Sequence, residues 1–433
     1  MPVRLKKKNI ILVAVVVLFV LLICVKINAL KGSTSNRVLE NVREFSSSVT
    51  TVDSVDMSDP FWSQLIREKK ITNKAGTSIC VEKRNYAFIK TMKCATQTLV
   101  QMFRRFGYRR HLNFVLPRQN RIYLGWPFIL ESQDFRASSK PFNALVDHSV
   151  YNETAFEKVM PNDTLYFTVI REPWSHFKSS FNYFNVANIS KVPDGPDRMT
   201  DYLNNIEKYD QFYRSEEASS TRFCIPNGFS VTKNLMSHCL GMPLGFPSGR
   251  ENITSDAQKV KEYIEFVDKK FALVMMMEYF HESLVLLKRL MCWSLEDILY
   301  HTSNVGDYSS KFRKPDPKNH AIFKQWSHVD FTLYDHFNHT FWSKVRDQGD
   351  DFFPEVAVYN SLHLRVTNFC SSEEFKTASM TIKATDYHRE IVVDKDYCLL
   401  LGIDLMMMLK IRTDYQEDYN ANDAIPVQNK RGC

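Results

Sequence analysis

The stretch Thr164-Leu-Tyr-Phe-Thr-Val-Ile-Arg-Glu-Pro173 is the strongest fold signal in this chain of 433 residues. Residues 164–170 are almost all apolar, aromatic or β-branched, a composition typical of a buried strand. The strand is followed by Arg171, and the sequence from Pro173 onward predicts a helix that runs through Phe184. A strand that leads directly into a helix is the repeating unit of α/β proteins.

Three further apolar runs predict strands at residues 86–89, 144–146 and 273–277. Helical spacing follows the first run at Leu99, Val100, Phe103 and Phe106, and follows the last at Leu284, Leu287 and Leu290. Gly107 is the expected stop of the first helix. The alternation predicts an α/β fold with a central parallel sheet and helices on both faces.

Composition and charge narrow the class of protein. Apolar residues make up 44% of the chain, which is enough for a large core and excludes disorder as the default. The 13 glycines are too few for a collagen-like or Gly-rich linker protein. The net charge of +7 is unevenly placed: residues 1–31 carry +6, residues 83–121 carry +10, and the remainder carries −9. The arginines of the second patch are expected to serve an anionic acceptor or to face water.

The amino terminus predicts a membrane anchor. An uncharged apolar run at residues 10–25 follows a basic cluster, so residues 1–9 are expected in the cytosol and the remainder across the membrane. A cleaved signal peptide with its site near Ala29 remains the alternative, although Ile27 is large for the −3 position. Residues 26–79 are predicted to form a stem, residues 80–414 one globular domain and residues 415–433 a loose tail.

Sequons and cysteines favour an oxidising, lumenal compartment. Five sequons follow the apolar run: Asn152-Glu-Thr, Asn162-Asp-Thr, Asn188-Ile-Ser, Asn252-Ile-Thr and Asn338-His-Thr. Of nine cysteines, eight lie beyond that run, and no Cys-x-x-Cys pair indicates structural zinc. The disulfide pairing does not follow from the sequence, and Cys370 with Cys398 is only a guess.

The segment after the first strand is a candidate anion site. It is Lys90-Thr-Met-Lys93-Cys-Ala-Thr96-Gln-Thr98, and a helix begins within it. A helix amino terminus offers free N–H groups and a positive dipole end, to which Lys93 adds a charge and Thr96 and Thr98 add hydroxyl donors. An ordinary turn with solvated lysines is the alternative. The segment lacks the Walker pattern, which argues against ATP or GTP with magnesium.

A second candidate group follows the strand at residues 164–170. Arg171 lies at its carboxyl end, where ligands bind in open α/β sheets, and Ser179 lies about two turns along the next helix. A guanidinium and a hydroxyl can hold a second phosphate. Pairing of Arg171 with a surface acid such as Glu172 is an equally good interpretation of this feature alone.

The two groups together resemble the phosphosulfate-binding loops of Golgi carbohydrate sulfotransferases. More narrowly, the chain resembles the galactose-3-O-sulfotransferase family, the group that contains galactosylceramide sulfotransferase. The likeness runs from about Cys80 to about Cys398 and includes these stretches: Phe88-Ile-Lys-Thr-Met-Lys93, Ser179-Ser-Phe-Asn-Tyr-Phe184, Glu282-Ser-Leu-Val-Leu-Leu287, Cys292-Trp293, Leu333-Tyr-Asp-His-Phe-Asn338 and Thr340-Phe-Trp342. The resemblance implies a P-loop-NTPase-like sulfotransferase fold and a single-pass type II protein of the Golgi membrane.

The resemblance also implies the donor 3′-phosphoadenosine 5′-phosphosulfate. By position, the 5′-phosphosulfate would contact a loop made of Lys90, Lys93, Cys94, Ala95, Thr96, Gln97 and Thr98. Arg171 and Ser179 would hold the 3′-phosphate. The family's loop reads Lys-Thr-His-Lys-Thr-Ala-Ser-Ser-Thr; here Met92, Cys94 and Gln97 differ from it, while Lys93 is kept. The family stretch Phe-Asp-Leu-Gly appears as residues 237–241, Ser-His-Cys-Leu-Gly, a change expected to affect the acceptor rather than the donor.

His148, after the second strand, is the candidate general base, with Asp147 expected to orient its imidazole and raise its pKa. A structural histidine is the alternative. Lys93 would stabilise charge during transfer, and no metal ion is expected. The implied acceptor is a galactose-terminated glycolipid or glycoprotein glycan. A glycosaminoglycan sulfotransferase and a catalytically dead glycan-binding scaffold remain open, whereas nucleic acid conflicts with a lumenal domain.

Overall fold

The computed structural model describes residues 80–118, 121–301 and 316–415. The predicted cytosolic tail, anchor and stem lie outside the described residues, as does nearly all of the carboxyl-terminal tail. No helix within the described ranges combines the length and the apolar character needed to cross a bilayer. The anchor and the domain boundaries therefore stay predictions.

The centre of the fold is a four-stranded parallel sheet, which confirms the α/β prediction. Its strands, buried except at Leu165, are β1 (Tyr86–Ile89), β2 (Ala144–Leu145), β3 (Leu165–Ile170) and β4 (Leu273–Met276). They pair in the order β2-β1-β3-β4, with Tyr86 opposite both Ala144 and Leu165. An antiparallel pair, β5 (Met380–Ile382) and β6 (Ile391–Val393), forms a separate sheet that local sequence pattern does not predict.

Helices flank the sheet and continue the chain beyond it. In order they are α1 (Thr96–Arg109), α2 (Glu153–Glu157), α3 (Pro173–Tyr183), α4 (Val186–Ile189), α5 (Arg198–Asn204), α6 (Ile206–Tyr213), α7 (Leu235–Cys239), α8 (Ala257–Lys270), α9 (Phe280–Met291), α10 (Pro317–Trp326), α11 (His328–Arg346), α12 (Phe352–Ser371), α13 (Lys395–Gly402) and α14 (Leu405–Tyr415). Three short 3₁₀ turns, Ser219–Thr221, Met277–Tyr279 and Glu374–Lys376, complete the regular structure of the described residues. The helices predicted after β1, β3 and β4 are α1, α3 and α9.

Gly107 is not the stop that the sequence predicts, since α1 continues to Arg109. The glycine instead serves packing. A Cβ at this position would lie 2.4 Å from the Phe114 ring and 3.0 Å from the Tyr86 hydroxyl. Only glycine lets the end of α1 lie this close to the loop that leads to β2.

The buried apolar side chains form two clusters. One surrounds the sheet and contains all four strands, α1 and α9. The other is rich in aromatic residues and joins α3 to the loops and short helices that follow it, with Trp126, Phe177 and Phe229 among its members. The second cluster supports the side of the molecule that faces the ends of β1 and β3.

Disulfides cross-link the described region. The guessed pair Cys370–Cys398 is confirmed, and a second bridge joins Cys80 to Cys292 across 212 residues. Cys224 is also disulfide-bonded, whereas Cys94 and Cys239 are free and buried.

Candidate active site

The strand order places the candidate site residues together. The chain leaves β1 toward β2 on one side and enters β4 beyond β3 on the other, so the topological switch point lies between β1 and β3. Ligands of open α/β sheets bind outside the carboxyl ends of the strands at such a point. Lys90 follows β1 and Arg171 follows β3, so both lie at this crevice.

The turn from β1 into α1 has the backbone of an anion-binding loop. Lys93 and Ala95 have φ of 60° and 55°, a left-handed conformation that is uncommon outside glycine and marks functional turns. α1 begins at Thr96, and no side chain caps its amino terminus. The first N–H groups of the helix, from Thr96 to Thr98, are therefore available to a phosphate or sulfate oxygen.

Contacts to β3 and α3 hold this turn in place. The Thr91 hydroxyl donates to the carbonyl oxygen of Val169, and His176 Nε2 donates to that of Met92 at 2.9 Å. Burial lowers the pKa of His176 to about 4, so the ring is neutral near pH 7. The Cys94 thiol donates to the same Met92 carbonyl oxygen at 3.4 Å. Burial raises the pKa of Cys94, so this side chain supports the loop and carries no charge.

Three cations lie at the site without a carboxylate in direct ion-pair contact among the described residues. Lys90 and Arg171 are buried and Lys93 is half-buried, and among the described residues no carboxylate oxygen lies within 4.0 Å of their nitrogens. Arg171 Nη1 donates to the Lys93 carbonyl oxygen at 3.4 Å. The interpretation that pairs Arg171 with Glu172 is wrong, because the Glu172 carboxylate caps α3 by accepting from the N–H groups of Trp174 and Ser175.

Ser179 and Tyr183 lie one turn apart on the α3 face that meets the loop. Lys93 Nζ is 3.7 Å from the centroid of the Tyr183 ring, and Ser179 is half-buried one turn earlier. Tyr183 is 58% exposed despite its size. Sequence reasoning missed this residue, although its spacing of four from Ser179 could have indicated it.

The pKa values of Lys93 and Lys90 are both lower than those of a solvated lysine. Burial lowers the pKa of Lys93, and the neighbouring Arg171 lowers it further. Burial lowers the pKa of Lys90 to about 8, with Asp147 acting in the opposite direction and Arg104 in the same one. A bound polyanion would supply the missing negative charge and raise both values.

The Gln97 side chain is hydrogen-bonded within the protein, to Lys90. Lys90 Nζ donates to Gln97 Oε1 at 3.2 Å, and Gln97 Nε2 lies 3.5 Å from the carboxylate of Asp404, far along the chain. Of the loop residues predicted to bind the donor, Gln97 therefore has a side chain already engaged. Its backbone N–H at the start of α1 stays available to a ligand.

His148 is positioned by a carbonyl group and not by Asp147. Its Nδ1 lies 3.0 Å from the carbonyl oxygen of Lys90, which can only accept, so Nδ1 carries the proton and Nε2 keeps a lone pair. Asp147 is instead ion-paired with Arg104 in the protein interior. The expectation that Asp147 orients the imidazole and raises its pKa is wrong: burial lowers the pKa of His148 well below its ordinary value, and Lys90 adds to the effect.

Four arginines of the basic patch are engaged by other parts of the chain rather than by an acceptor or by solvent. Arg104 contacts Asp147 and Asp404, while Arg105 donates to the carbonyl oxygens of Asp297 and Leu299. Further along, Arg109 pairs with Glu296, and Arg110 pairs with Glu82 and Asp297. The expectation for these four arginines is therefore wrong.

No three His, Cys, Asp or Glu side chains of the described ranges lie together as metal ligands. That the reaction needs no metal stays a prediction.

The chain is similar to known sulfotransferases. The family model for galactose-3-O-sulfotransferases matches residues 3–387. The chain is 32% identical to human galactosylceramide sulfotransferase over 296 residues, which are 67% of this chain and 65% of that relative. It is 29% identical to the mouse galactosylceramide sulfotransferase over 328 residues, 74% of this chain and 71% of that one. Mouse galactose-3-O-sulfotransferase 3 is 32% identical over 266 residues, 61% of this chain and 57% of the relative.

The chain thus spans about two thirds of the length of the curated relatives it matches. No solved structure matches it. The family model covers far more than half of the residues, including every donor-site candidate from Lys90 to Ser179. The chain belongs to the galactose-3-O-sulfotransferase family.

Proposed function

We propose that this protein transfers a sulfuryl group from 3′-phosphoadenosine 5′-phosphosulfate to the 3-hydroxyl of a galactose on a glycolipid or glycoprotein glycan. The observation that carries the proposal is the cluster of Lys90, Lys93 and Arg171, three desolvated cations without carboxylate partners at the switch point. Burying charge without a partner costs several kcal/mol. A ligand with several negative charges offsets that cost, and a phosphosulfate nucleotide has them.

The residues fit the donor in two groups. Lys93 and the free N–H groups at the start of α1 suit the 5′-phosphosulfate, because a helix amino terminus and a lysine both favour a negative oxygen. Arg171 and Ser179 suit the 3′-phosphate, because a guanidinium and a hydroxyl can donate to neighbouring oxygens. The carbonyl contact between Arg171 and Lys93 links the two groups.

The transfer breaks the bond from sulfur to the bridging phosphate oxygen, forms a bond from sulfur to the galactose 3-oxygen, and releases the hydroxyl proton. His148 Nε2 accepts that proton, since the Lys90 carbonyl fixes the proton of the ring on Nδ1. The lowered pKa keeps the imidazole neutral and able to act as a base at lumenal pH. Lys93 and Arg171 stabilise the negative charge left on the departing bisphosphate.

The proposal includes a Golgi, type II topology with a lumenal catalytic domain. The disulfides Cys80–Cys292 and Cys370–Cys398 support an oxidising compartment. Asn162 and Asn252, each in a sequon, are exposed and support glycosylation. Asn338 is a poorer acceptor, because it lies within α11 with its side-chain oxygen buried.

The test is sulfate transfer by the purified full-length chain from labelled donor to a panel of acceptors: galactosylceramide, lactosyl and galactosyl-N-acetylhexosamine glycans, and glycosaminoglycans. We expect label on the galactose 3-oxygen, located by methylation analysis. Label on uronic acid or hexosamine would replace this acceptor with the glycosaminoglycan alternative. Binding of 3′,5′-adenosine bisphosphate without any transfer would support the alternative of a catalytically dead glycan-binding scaffold.

A further inference from the structure

The short junction between α13 and α14 lies close to the donor loop. It consists of Ile403 and Asp404, since α13 ends at Gly402 and α14 begins at Leu405. Both helices pack on α1, the helix that follows the loop. Asp404 lies beyond residues 3–387, the range that the family model matches. The fold therefore brings a segment from outside the family match to α1.

A disulfide and an ion pair hold this segment in place. The Cys370–Cys398 bridge joins α13 to the end of α12. From α1, Arg104 Nη1 donates to Asp404 Oδ1 at 2.9 Å. Arg104 also pairs with the buried Asp147, so its guanidinium is fixed from two sides. The Asp404 carboxylate thus has a defined position beside α1.

The Gln97 side chain connects Asp404 to Lys90. Its Oε1 accepts from Lys90 Nζ at 3.2 Å, and its Nε2 donates to Asp404 Oδ2 at 3.5 Å. These partners fix the direction of the amide, because an ammonium group only donates and a carboxylate only accepts. Gln97 is also one of the loop positions at which this chain differs from the family's loop. A carboxylate outside the family match therefore contacts a loop residue that departs from the family pattern.

The connection affects both the position and the charge of Lys90. Gln97 lies in the first turn of α1, where the backbone N–H groups are available to a ligand, so its side chain holds the ammonium group at that end of the helix. Lys90 keeps its other N–H donors for ligand oxygens. Burial lowers the pKa of Lys90 to about 8 and Arg104 acts in the same direction, whereas Asp147 and Asp404 raise it. Without Asp404, more of the lysine would be neutral at a given pH.

Capping of α14 does not account for all the contacts of Asp404. Its Oδ1 accepts from the Met406 N–H at 2.9 Å, as the residue before a helix commonly does. That contact uses one oxygen, whereas Oδ2 is the one that accepts from Gln97. The carboxylate would also repel an anionic ligand, but the ion pair with Arg104 and a side chain that is 54% exposed weaken this repulsion. The contact with Gln97 therefore sets the sign of its effect on the donor.

We propose that Asp404 is a positioning residue of the donor site, which acts through Gln97 to hold the Lys90 ammonium group where the 5′-phosphosulfate binds. The inference rests on the proposed function and deepens it, because it gives the carboxyl-terminal segment a part in donor binding. Gln97 is the second positioning residue of this pair.

The test measures the affinity of full-length variants for 3′,5′-adenosine bisphosphate by calorimetry. Asp404→Asn keeps a helix cap but loses the charge, and Gln97→Met removes both hydrogen bonds while keeping the length of the side chain. We expect Kd to rise about fivefold in each variant, the effect of one lost hydrogen bond. KM for the sulfate donor should rise with it, whereas KM for the acceptor should stay unchanged. The double variant should bind no more weakly than the weaker single variant, because the two residues act in one chain of contacts.

Asp394→Asn is the matched control. Asp394 caps the other end of α13 by accepting from the Tyr397 N–H at 2.8 Å, so this variant removes the same charge from the same segment. Its Kd should equal that of wild type. Gln97→Met keeps the ion pair between Asp404 and Arg104, so it decides the question even if Asp404→Asn does not fold.

The pH profile of binding separates positioning from a purely structural role. In wild type, affinity should fall as pH rises past about 8, because free Lys90 loses its proton there. In Asp404→Asn the fall should begin at lower pH. Unchanged or tighter binding by either single variant, or effects that multiply in the double variant, would overturn the inference and leave the proposed function standing. Absence of binding by wild type would instead refute the donor site itself.

Discussion

Buried positive charges before the start of α1 and in its middle have opposite surroundings. At the amino-terminal end, Lys90, Lys93 and, across the crevice, Arg171 are desolvated without carboxylate partners among the described residues. More than two turns into the helix, Arg104 is just as buried but contacts both Asp147 and Asp404. Residues 83–121 contain no acid, so the second group finds its counter-charges in distant parts of the chain. The difference separates a ligand site from a structural network within one basic patch.

The largest effect is expected for Lys93→Ala, which tests whether the cations without carboxylate partners bind the donor. It removes an unpaired cation that donor and transition state both need, so we expect kcat/KM to fall by about 10⁴ or more. Unfolding by urea should show no loss of stability, since no carboxylate loses a partner. Lys83→Ala is the matched control, an exposed lysine of the same patch. Full activity in Lys93→Ala would remove the donor-site assignment.

His148→Ala tests the chemistry next to the unpaired group. Loss of a general base should lower kcat by about 10³. Affinity for 3′,5′-adenosine bisphosphate, measured by calorimetry, should stay within about twofold of wild type, because His148 contacts the loop only through the Lys90 carbonyl oxygen. A normal kcat would leave His148 a structural histidine.

The site follows from local sequence wherever one segment carries both the element and the ligand. β1 and β3 are apolar runs that end in Lys90 and Arg171, and the strand-then-helix order predicts that these ends meet at one edge of the sheet. Arg104 could not be assigned in this way, because its partner Asp404 lies 300 residues away. Local pattern did not reveal the partner of Asp147 either, and proximity in sequence wrongly suggested His148.

The cavity lined by Asp210, Asn234 and Trp326 escaped prediction for a related reason. Its walls come from loops and from helices of at most ten residues, in which neither helical nor strand periodicity is visible. Asn234 looks like any loop asparagine until Ser327 is seen to occupy its oxygen. Periodicity thus predicts the scaffold and the donor loop, while the cavity depends on contacts between distant segments.

Arg104→Met tests the paired half of the comparison. Removing the guanidinium leaves Asp147 buried without a partner, which should lower the free energy of unfolding by about 3 kcal/mol. The double variant Arg104→Met, Asp147→Asn should regain at least half of that loss, because the uncompensated charge is gone. Urea denaturation of both variants measures the difference. A single variant as stable as wild type would mean that the pair contributes nothing.

The smallest effect concerns the charge on Lys90. It tests directly whether this lysine lacks a carboxylate partner, unlike Arg104. The pKa of Lys90 is about 8 in the folded protein and ordinarily about 10.5, so between these values the unfolded chain binds the extra proton. Stability without ligand should therefore rise with pH from 8 to 10.5, by about 1–3 kcal/mol from this residue. Lys90→Met should be more stable than wild type below pH 8, and the difference should shrink as pH rises through that interval. Saturating 3′,5′-adenosine bisphosphate supplies the missing counter-charge, so it should raise the pKa of Lys90 and flatten the wild-type rise. If Lys90→Met is instead less stable than wild type at pH 7, then Lys90 has a protein partner after all and belongs with Arg104.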